Sequence, residues 1–284
     1  MKKRIISGVV MGAVVTLVLV LGLLLKSFIL TTFVAIVAAL GVFELVTNAA
    51  KIDNIIFRVL PSVYTVALVF MFCRINENLY RLNVTNYEYF DISAFIWAIV
   101  LTVVYVVAIA VLILANQEEF DLAKIAVVCA MPLIYAFSFS TIASVILATG
   151  KLYHLLLVLN FACVCDMGAY FVGIGIGKTK LCPEISPKKT VEGALGGIAS
   201  SIIVTLIITL CSGQFNKILP ALLITVPLCV AGIIGDLFAS IIKRKVGIKD
   251  YGDLIPGHGG ILDRVDSILF ISPLVYCLML IGVI

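Results

Sequence analysis

The sequence contains few charged side chains, and this scarcity limits what the protein can be. Only 13% of its 284 residues are Asp, Glu, Lys or Arg, whereas 63% are hydrophobic. Because a soluble domain carries about 25% charged residues, the composition excludes an ordinary soluble protein and predicts one that crosses the bilayer several times. The net charge is only +4, so no polybasic character predicts a nucleic-acid partner.

Two sequence patterns that would assign a cofactor or a fold are also absent. None of the eight cysteines forms a C-x-x-C pair, and most lie in apolar runs, so we interpret them as small buried residues rather than metal ligands or disulfides. The segment Gly177-Lys178-Thr179 would end a nucleotide-binding P-loop only if position 172 were glycine, and it is valine. We therefore exclude a P-loop.

Long apolar runs fill most of the chain. A membrane-spanning helix needs about 20 mostly apolar residues, and lipid-exposed backbone must form its hydrogen bonds within the helix. We predict an all-α fold, a polytopic transmembrane helical bundle of about nine transmembrane helices. The runs are residues 5–25, 28–46, 55–72, 94–114, 123–147, 152–174, 194–211, 219–242 and 267–284.

The basic residues predict the orientation of these helices. With the N-terminus in the cytosol, most of the 20 lysines and arginines lie on the cytoplasmic side, as the positive-inside rule requires. The same orientation places both long polar loops of the second half in the cytoplasm. We predict a multi-pass protein of the cell (inner) membrane, with its N-terminus and these loops cytoplasmic.

The two halves of the chain differ in polarity. The predicted spans of residues 1–150 contain hardly any polar side chain beyond Ser and Thr. We predict that this half is a scaffold of transmembrane helices that provides a lipid groove or dimer contacts. Residues 151–284 contain three polar clusters, and we predict that they form the catalytic transmembrane region.

The first cluster surrounds Asp166, which lies well inside the sixth predicted span. A carboxylate at that depth is costly, so it must pair with another group or line a polar cavity. Tyr170 and Gly173 follow at helical spacing and share its face. The alternative is a purely structural hydrogen bond between helices.

The second cluster lies directly before the seventh span and contains Lys188 and Lys189. Two lysines beside a helix start can bind phosphate oxygens, because the helix N-terminus adds free amides. Thr190 and Glu192 are predicted to cap this helix. The alternative is an anchor that contacts anionic lipid headgroups.

The third cluster combines a helical stripe with a glycine-rich loop. Asp236, Ser240 and Lys243 are spaced to form one polar face of the eighth span. Asp263 and Asp266 share a face at the start of the ninth. Carboxylates from two helices can hold Mg²⁺, which also binds substrate phosphates, and a second cation would stabilise the leaving oxygens. The cluster therefore predicts phosphoryl chemistry.

The same segment resembles the signature of the phosphatidate cytidylyltransferases, also called CDP-diacylglycerol synthases. The similarity covers about residues 160–270 and includes the segments around Asp166 and Lys188. The matching run is Ser240-x-x-Lys243-Arg244-x4-Lys249-Asp250-x-Gly252-x-x-Ile255-Pro256-Gly257-His258-Gly259-Gly260-Ile261-x-Asp263-Arg264-Val265-Asp266.

The resemblance implies a reaction and a set of site residues. CTP and phosphatidate would give CDP-diacylglycerol and pyrophosphate with Mg²⁺, in a homodimer whose polar cavity opens to cytosol and bilayer. Asp236 and Asp263 match the metal-centre carboxylates, and Ser240 and Lys243 match active-site positions beside them, so these four are the predicted catalytic residues. The sequence departs from the pattern at Ala239, where many relatives carry Glu.

We also predict a set of residues that bind either substrate. They are basic or acidic side chains of the three clusters, together with one histidine. His258 is expected to contact the ligand or to fix the loop, because an ionised phosphate nucleophile has no proton for a general base to remove. The predicted binding residues are Asp166, Lys188, Lys189, Arg244, Lys249, His258, Arg264 and Asp266.

Three alternative functions differ in what they require of the sequence. An enzyme that joins CTP to prenyl or archaeal lipid phosphates would differ only in its lipid groove. A CDP-alcohol phosphotransferase would require a D-G-x-x-A-R pattern, which is absent. A transporter could use Asp166 and Asp236 along an ion path, but transport sites lie near the bilayer midplane in folds with internal repeats, and no internal repeat stands out here.

Overall fold

The computed structural model describes residues 27–84, 91–147, 152–255 and 259–284. The helices and strands of this part of the chain are nine α-helices, a few single helical turns and one short β-hairpin, so the predicted all-α class is confirmed with the hairpin as an addition. The helices are α1 Ser27–Glu44, α2 Ile55–Val84, α3 Ser93–Ala115, α4 Leu122–Leu147, α5 Leu152–Leu159, α6 Cys165–Ile176, α7 Val191–Cys211, α8 Ile218–Val246 and α9 Leu262–Leu280. Single π-helical turns follow α1, at Leu45–Ala49, and α5, at Asn160–Val164.

Seven helical segments of the described part are long and apolar enough to cross a membrane. They correspond to the second to eighth predicted spans, and the chain is a multi-pass integral membrane protein. The first predicted span, residues 5–25, lies outside the described residues. The ninth corresponds to α9, whose first turns contain Asp263, Arg264 and Asp266 and leave too short an uncharged stretch. A total of nine spans stays a prediction.

The chain divides into two compact units that differ from the division at residue 150. The first unit comprises Met1–Ala148 and Val246–Arg264, and the second comprises Thr149–Lys245 and Val265–Ile284. The loop after α8 and the start of α9 therefore pack with the N-terminal half. The functional division into scaffold and catalytic region stays a prediction.

Aromatic and polar contacts hold the first unit together. The rings of Tyr64 in α2 and Tyr105 in α3 stack 3.8 Å apart, and Tyr105 donates its hydroxyl to the Val128 carbonyl of α4 at 2.6 Å. Asn76 of α2 donates to Ser140 and Ser144 of α4. Hydrogen bonds between helices satisfy polar groups that lipid cannot.

The second unit is joined by a polar chain and by close helix packing. Asn160 in the π-helical turn after α5 donates to Thr205 of α7 at 2.9 Å, and Thr205 bonds Thr225 of α8 at 3.0 Å. These contacts link α7 to the segments on either side of it. They form a framework on which α6 and α8 can present the polar residues of the candidate site.

A two-stranded antiparallel hairpin connects α6 to α7. Its strands are β1, Lys180–Cys182, and β2, Ser186–Thr190, with Lys180 opposite Thr190. The sequence analysis predicted only a polar loop here. The hairpin is a correction that matters, because Lys188 and Lys189 lie on β2.

Candidate active site

The second unit contains a cavity of about 570 Å³ lined by polar residues from all three predicted clusters. Asp166 and Tyr170 come from α6, and Asp236 comes from α8. The lysines come from the hairpin: Lys180, Lys188 and Lys189. The structure therefore brings the first two clusters and the start of the third together around one space.

The face of α6 follows the predicted helical spacing. Asp166 lies in the first turn of α6, and Tyr170 and Gly173 line the same cavity. Asp166 is close enough to Lys189 and Asp236 to interact with both electrostatically. A carboxylate inside an apolar segment thus has a polar cavity and a cationic neighbour, which reduces its cost in the membrane.

An ion pair links the hairpin to α8. The Lys189 ammonium contacts the Asp236 carboxylate, and the two side chains are 26% and 24% exposed. A half-buried lysine of this kind retains donors that can turn towards a phosphate. The pair was not predicted from the sequence, because Lys189 and Asp236 are distant along the chain.

The polar stripe of α8 is confirmed as a helical face. Asp236, Ser240 and Lys243 are half-buried residues of one continuous helix. Arg244 is exposed in its last turn. Ala239, where the family pattern has Glu, is buried.

Asp266 approaches this stripe from α9. It interacts electrostatically with Asp236, Asp166 and Lys243. Burial, reinforced by the negative charge of Asp236, raises the pKa of Asp266 to about 6. Three carboxylates near two lysines make a site whose charge is balanced only in part, and a cation or a cationic side chain would stabilise it.

The start of α7 fixes the base of the hairpin. The Thr190 hydroxyl accepts a hydrogen bond from the Gly193 amide at 3.1 Å, which confirms the predicted N-cap. The Glu192 carboxylate accepts from the amides of Lys178 and Thr179, at 3.1 Å each. Because both ends of the hairpin are tied to α7, the strand that carries Lys188 has a defined position.

Two glycines of α7 lie against α6 beside the site. A Cβ at Gly193 would lie 2.7 Å from the Ala169 carbonyl oxygen of α6. A Cβ at Gly197 would clash with the Cys165 carbonyl oxygen, whereas Gly175 has open space. Small residues let membrane helices approach closely, so Gly193 and Gly197 allow α7 to pack against α6.

The remaining predicted residues lie in the first unit or outside the described residues. Asp263 accepts hydrogen bonds from the amides of Tyr251, at 2.7 Å, and Gly260, at 3.1 Å. Lys249 and Arg264 are exposed. His258 lies outside the described residues, so its predicted contact stays a prediction.

The carboxylates of this site fit a magnesium ion only if phosphate oxygens and water complete its coordination shell. Among the described residues, no group of three His, Cys, Asp or Glu side chains would hold a metal ion. Magnesium usually takes one or two protein carboxylates and completes its shell with phosphate oxygens and water. Asp236 can provide such a carboxylate. Asp236 and Asp263 belong to different units, and their joint role as metal ligands stays a prediction.

Comparison with known proteins identifies the family. The family model described as "Cytidylyltransferase family" matches residues 2–281. This chain belongs to the cytidylyltransferase family. The phosphatidate cytidylyltransferase of Bacillus subtilis (strain 168) is 32% identical over 303 aligned positions, which cover 98% of this chain and 97% of the relative.

Two further relatives of this cytidylyltransferase carry the same name. The phosphatidate cytidylyltransferase of Staphylococcus epidermidis is 48% identical over 115 residues, 40% of this chain and 44% of the relative. That of Thermotoga maritima is 30% identical over 184 residues, 62% of this chain and 67% of the relative. Because the chain belongs to a family of nucleotide-transferring enzymes, the alternative that it is a transporter is no longer favoured.

One buried acidic residue was missed by the sequence analysis. Glu44 lies in the second predicted span and is only 3% exposed, and its carboxylate binds the start of α9. Its signal was present in the sequence, since a carboxylate inside an apolar run is expensive and usually functional.

Proposed function

We propose that this cytidylyltransferase joins CTP to phosphatidate and releases CDP-diacylglycerol and pyrophosphate. The observation that carries the proposal is the cavity of the second unit, where lysines of the hairpin meet carboxylates of α6 and α8. Full-length similarity to a phosphatidate cytidylyltransferase supports the choice of substrates. The reaction belongs to phospholipid biosynthesis.

The chemistry is a direct displacement at phosphorus. A phosphate oxygen of phosphatidate attacks the α-phosphorus of CTP, the new O–P bond forms, and the bond to the β-phosphate oxygen breaks. Pyrophosphate leaves with the electron pair of that bond. Because little covalent work is left to the protein, catalysis depends on positioning and on stabilising the phosphate charge.

The basic residues divide this task by location. Lys188 and Lys189 of the hairpin line the cavity, where we expect them to bind phosphate oxygens. Lys243 lies one turn beyond Ser240 on the polar face of α8 and is expected to bind a second phosphate. Lysine suits this role because its ammonium is a compact charge with three donors.

Asp236 and Asp263 are our proposed magnesium ligands. When bound, magnesium would neutralise phosphate charge and polarise the bond to the leaving group. Asp166 and Asp266 then have a distinct role: their charges, close to Asp236, keep the site negative until a cation enters with the nucleotide.

The proposed topology places the hairpin and the loop after α8 in the cytoplasm, where CTP is available. The positive-inside distribution of lysine and arginine supports this orientation. We also propose a homodimer in the inner membrane, as the family resemblance implies. Crosslinking in native membranes and labelling of single cysteines from each side would test both points.

The decisive experiment follows the label of CTP in proteoliposomes that contain phosphatidate. CTP labelled at the α-phosphate should yield lipid-linked label, whereas CTP labelled at the γ-phosphate should yield labelled pyrophosphate only. The variant Asp236→Asn should lose transfer, and Asp53→Asn, which removes a 99% exposed carboxylate, should retain it because surface ion pairs contribute little.

The outcomes separate the remaining alternatives. Lipid label from γ-labelled CTP would indicate a kinase and refute the proposal. Transfer to a prenyl phosphate that outcompetes phosphatidate would assign a different lipid acceptor. Absence of lipid-linked label from purified, folded protein with magnesium would refute nucleotidyl transfer to phosphatidate.

A further inference from the structure

Glu44 is a buried acidic side chain at the end of α1, in a segment that is otherwise apolar. The candidate span Phe28–Ala49 has a mean hydropathy of 2.4, and Glu44 is 3% exposed. A carboxylate in such surroundings is unfavourable unless hydrogen bonds satisfy it. Its partners therefore indicate why the fold tolerates it.

Those partners are the amide of the first residue of α9 and the amide of the residue directly before it. One carboxylate oxygen of Glu44 accepts from the Ile261 amide and the other from the Leu262 amide, each at 3.1 Å. The first amides of a helix have no partner inside the helix, and its N-terminus attracts negative charge. Glu44 thus caps a helix that lies more than two hundred residues further along the chain.

The backbone closes around this carboxylate. A Cβ at Gly252 would lie 2.6 Å from one Glu44 oxygen, and a Cβ at Gly260 would lie 2.5 Å from the other. Both positions therefore admit only glycine without movement of the carboxylate. Two glycines of the signature segment are explained by the space that Glu44 occupies.

Two more side chains from the same stretch hold the loop after α8. Asn48 donates its amide to the Tyr251 carbonyl at 2.5 Å. Lys51 donates to the Val246 carbonyl at 3.0 Å, at the end of α8. Asn48 thus bonds to the loop itself, whereas Lys51 bonds to the helix end before the loop and Glu44 bonds at the helix start after it. The described residues of this loop are 247–255 and 259–261.

Asp263 also binds backbone amides of this loop. Its Oδ2 accepts from the amides of Tyr251 and Gly260, and Asp263 interacts electrostatically with Glu44. The position of the Asp263 carboxylate therefore depends on the loop that Glu44 anchors. Two carboxylates of like charge share this short region because backbone amides satisfy both.

We infer that Glu44 is a positioning residue for nucleotidyl transfer: by capping α9 and anchoring the loop after α8, it sets the place of Asp263. The inference rests on the proposed function, in which Asp263 is a metal ligand. It also assigns a role to the N-terminal half, which the sequence analysis treated as a scaffold.

The test compares Glu44→Gln with Glu118→Gln, which removes the same charge at an exposed position. Gln turns an NH₂ group towards one helix amide, so one charge-assisted hydrogen bond is lost and the other is weakened. We expect kcat of Glu44→Gln to fall about tenfold or more, while KM for CTP changes less than about threefold, because Glu44 is buried against backbone amides and acts through Asp263. Glu118→Gln should match the wild type in both constants.

A second measurement does not depend on the reaction. Hydrogen exchange of the Ile261 and Leu262 amides should accelerate about tenfold in Glu44→Gln, and Glu44→Asp, which keeps the charge, should restore part of both protection and kcat. Unchanged kcat in folded Glu44→Gln, or a loss of thermal stability alone, would overturn the inference. A wild-type protein without transfer activity would refute the proposed function instead, and the exchange data would still report whether Glu44 anchors the loop.

Discussion

Replacing Lys189 by alanine tests the charge balance of the cavity most directly. Lys189 pairs with Asp236, and both side chains are about three-quarters buried. If its ammonium binds a phosphate oxygen in the transition state, the variant loses one charge-assisted hydrogen bond. Such a bond contributes about 1.5–3 kcal/mol, so kcat/KM should fall about 10- to 150-fold. Lys189→Arg should lose less, because it keeps the charge.

The assay measures initial rates of nucleotide transfer to phosphatidate in mixed micelles, with each substrate varied in turn. Lys124→Ala is the matched control, because Lys124 is partly exposed and its ammonium bonds only the Glu119 carbonyl among the described contacts. The double variant Lys189→Met with Asp236→Asn should lose little more than the worse single variant, since paired residues are not additive. A Lys189→Ala enzyme within twofold of Lys124→Ala would refute a phosphate-binding role.

Three further results are expected. Gly197→Ala should destabilise the protein by about 1–3 kcal/mol, because its new methyl group meets the Cys165 carbonyl, and Gly175→Ala should leave the melting temperature in detergent unchanged. Thr190→Ala should cost about 1 kcal/mol through loss of the helix cap, a loss that Thr190→Ser should largely avoid in the same melting assay. Removal of divalent cations with a chelator should abolish transfer and added Mg²⁺ should restore it, whereas full activity in the chelator would exclude a metal-dependent reaction.

The helical faces and the helix cap that the sequence predicted correctly share one property: each depends only on residues that are close in the sequence. Asp236, Ser240 and Lys243 form a stripe because helical periodicity determines which positions share a face. Asp166 and Tyr170 follow the same rule on α6. The Thr190 cap was likewise predicted from the position of this residue directly before an apolar helix.

The features that the sequence did not predict depend on contacts between distant segments. The hairpin requires β1 and β2 to pair, and each strand alone is too short and too polar to produce a clear pattern. Glu44 anchors the loop after α8 because α1 and residues 246–264 belong to the same compact unit. The sequence of the loop does not indicate that Glu44 is its partner.

The sequence by itself determined that this is a multi-pass membrane protein, because runs of about 20 apolar residues are stable across a bilayer. It also predicted phosphate chemistry, because carboxylates inside such runs are costly and usually functional. Only the tertiary structure decided which charges meet: Lys189 with Asp236, and Glu44 with the start of α9. The physical reason is that hydropathy and periodicity act within one segment, whereas ion pairs and caps form wherever the packed chain brings opposite charges and unpaired amides together.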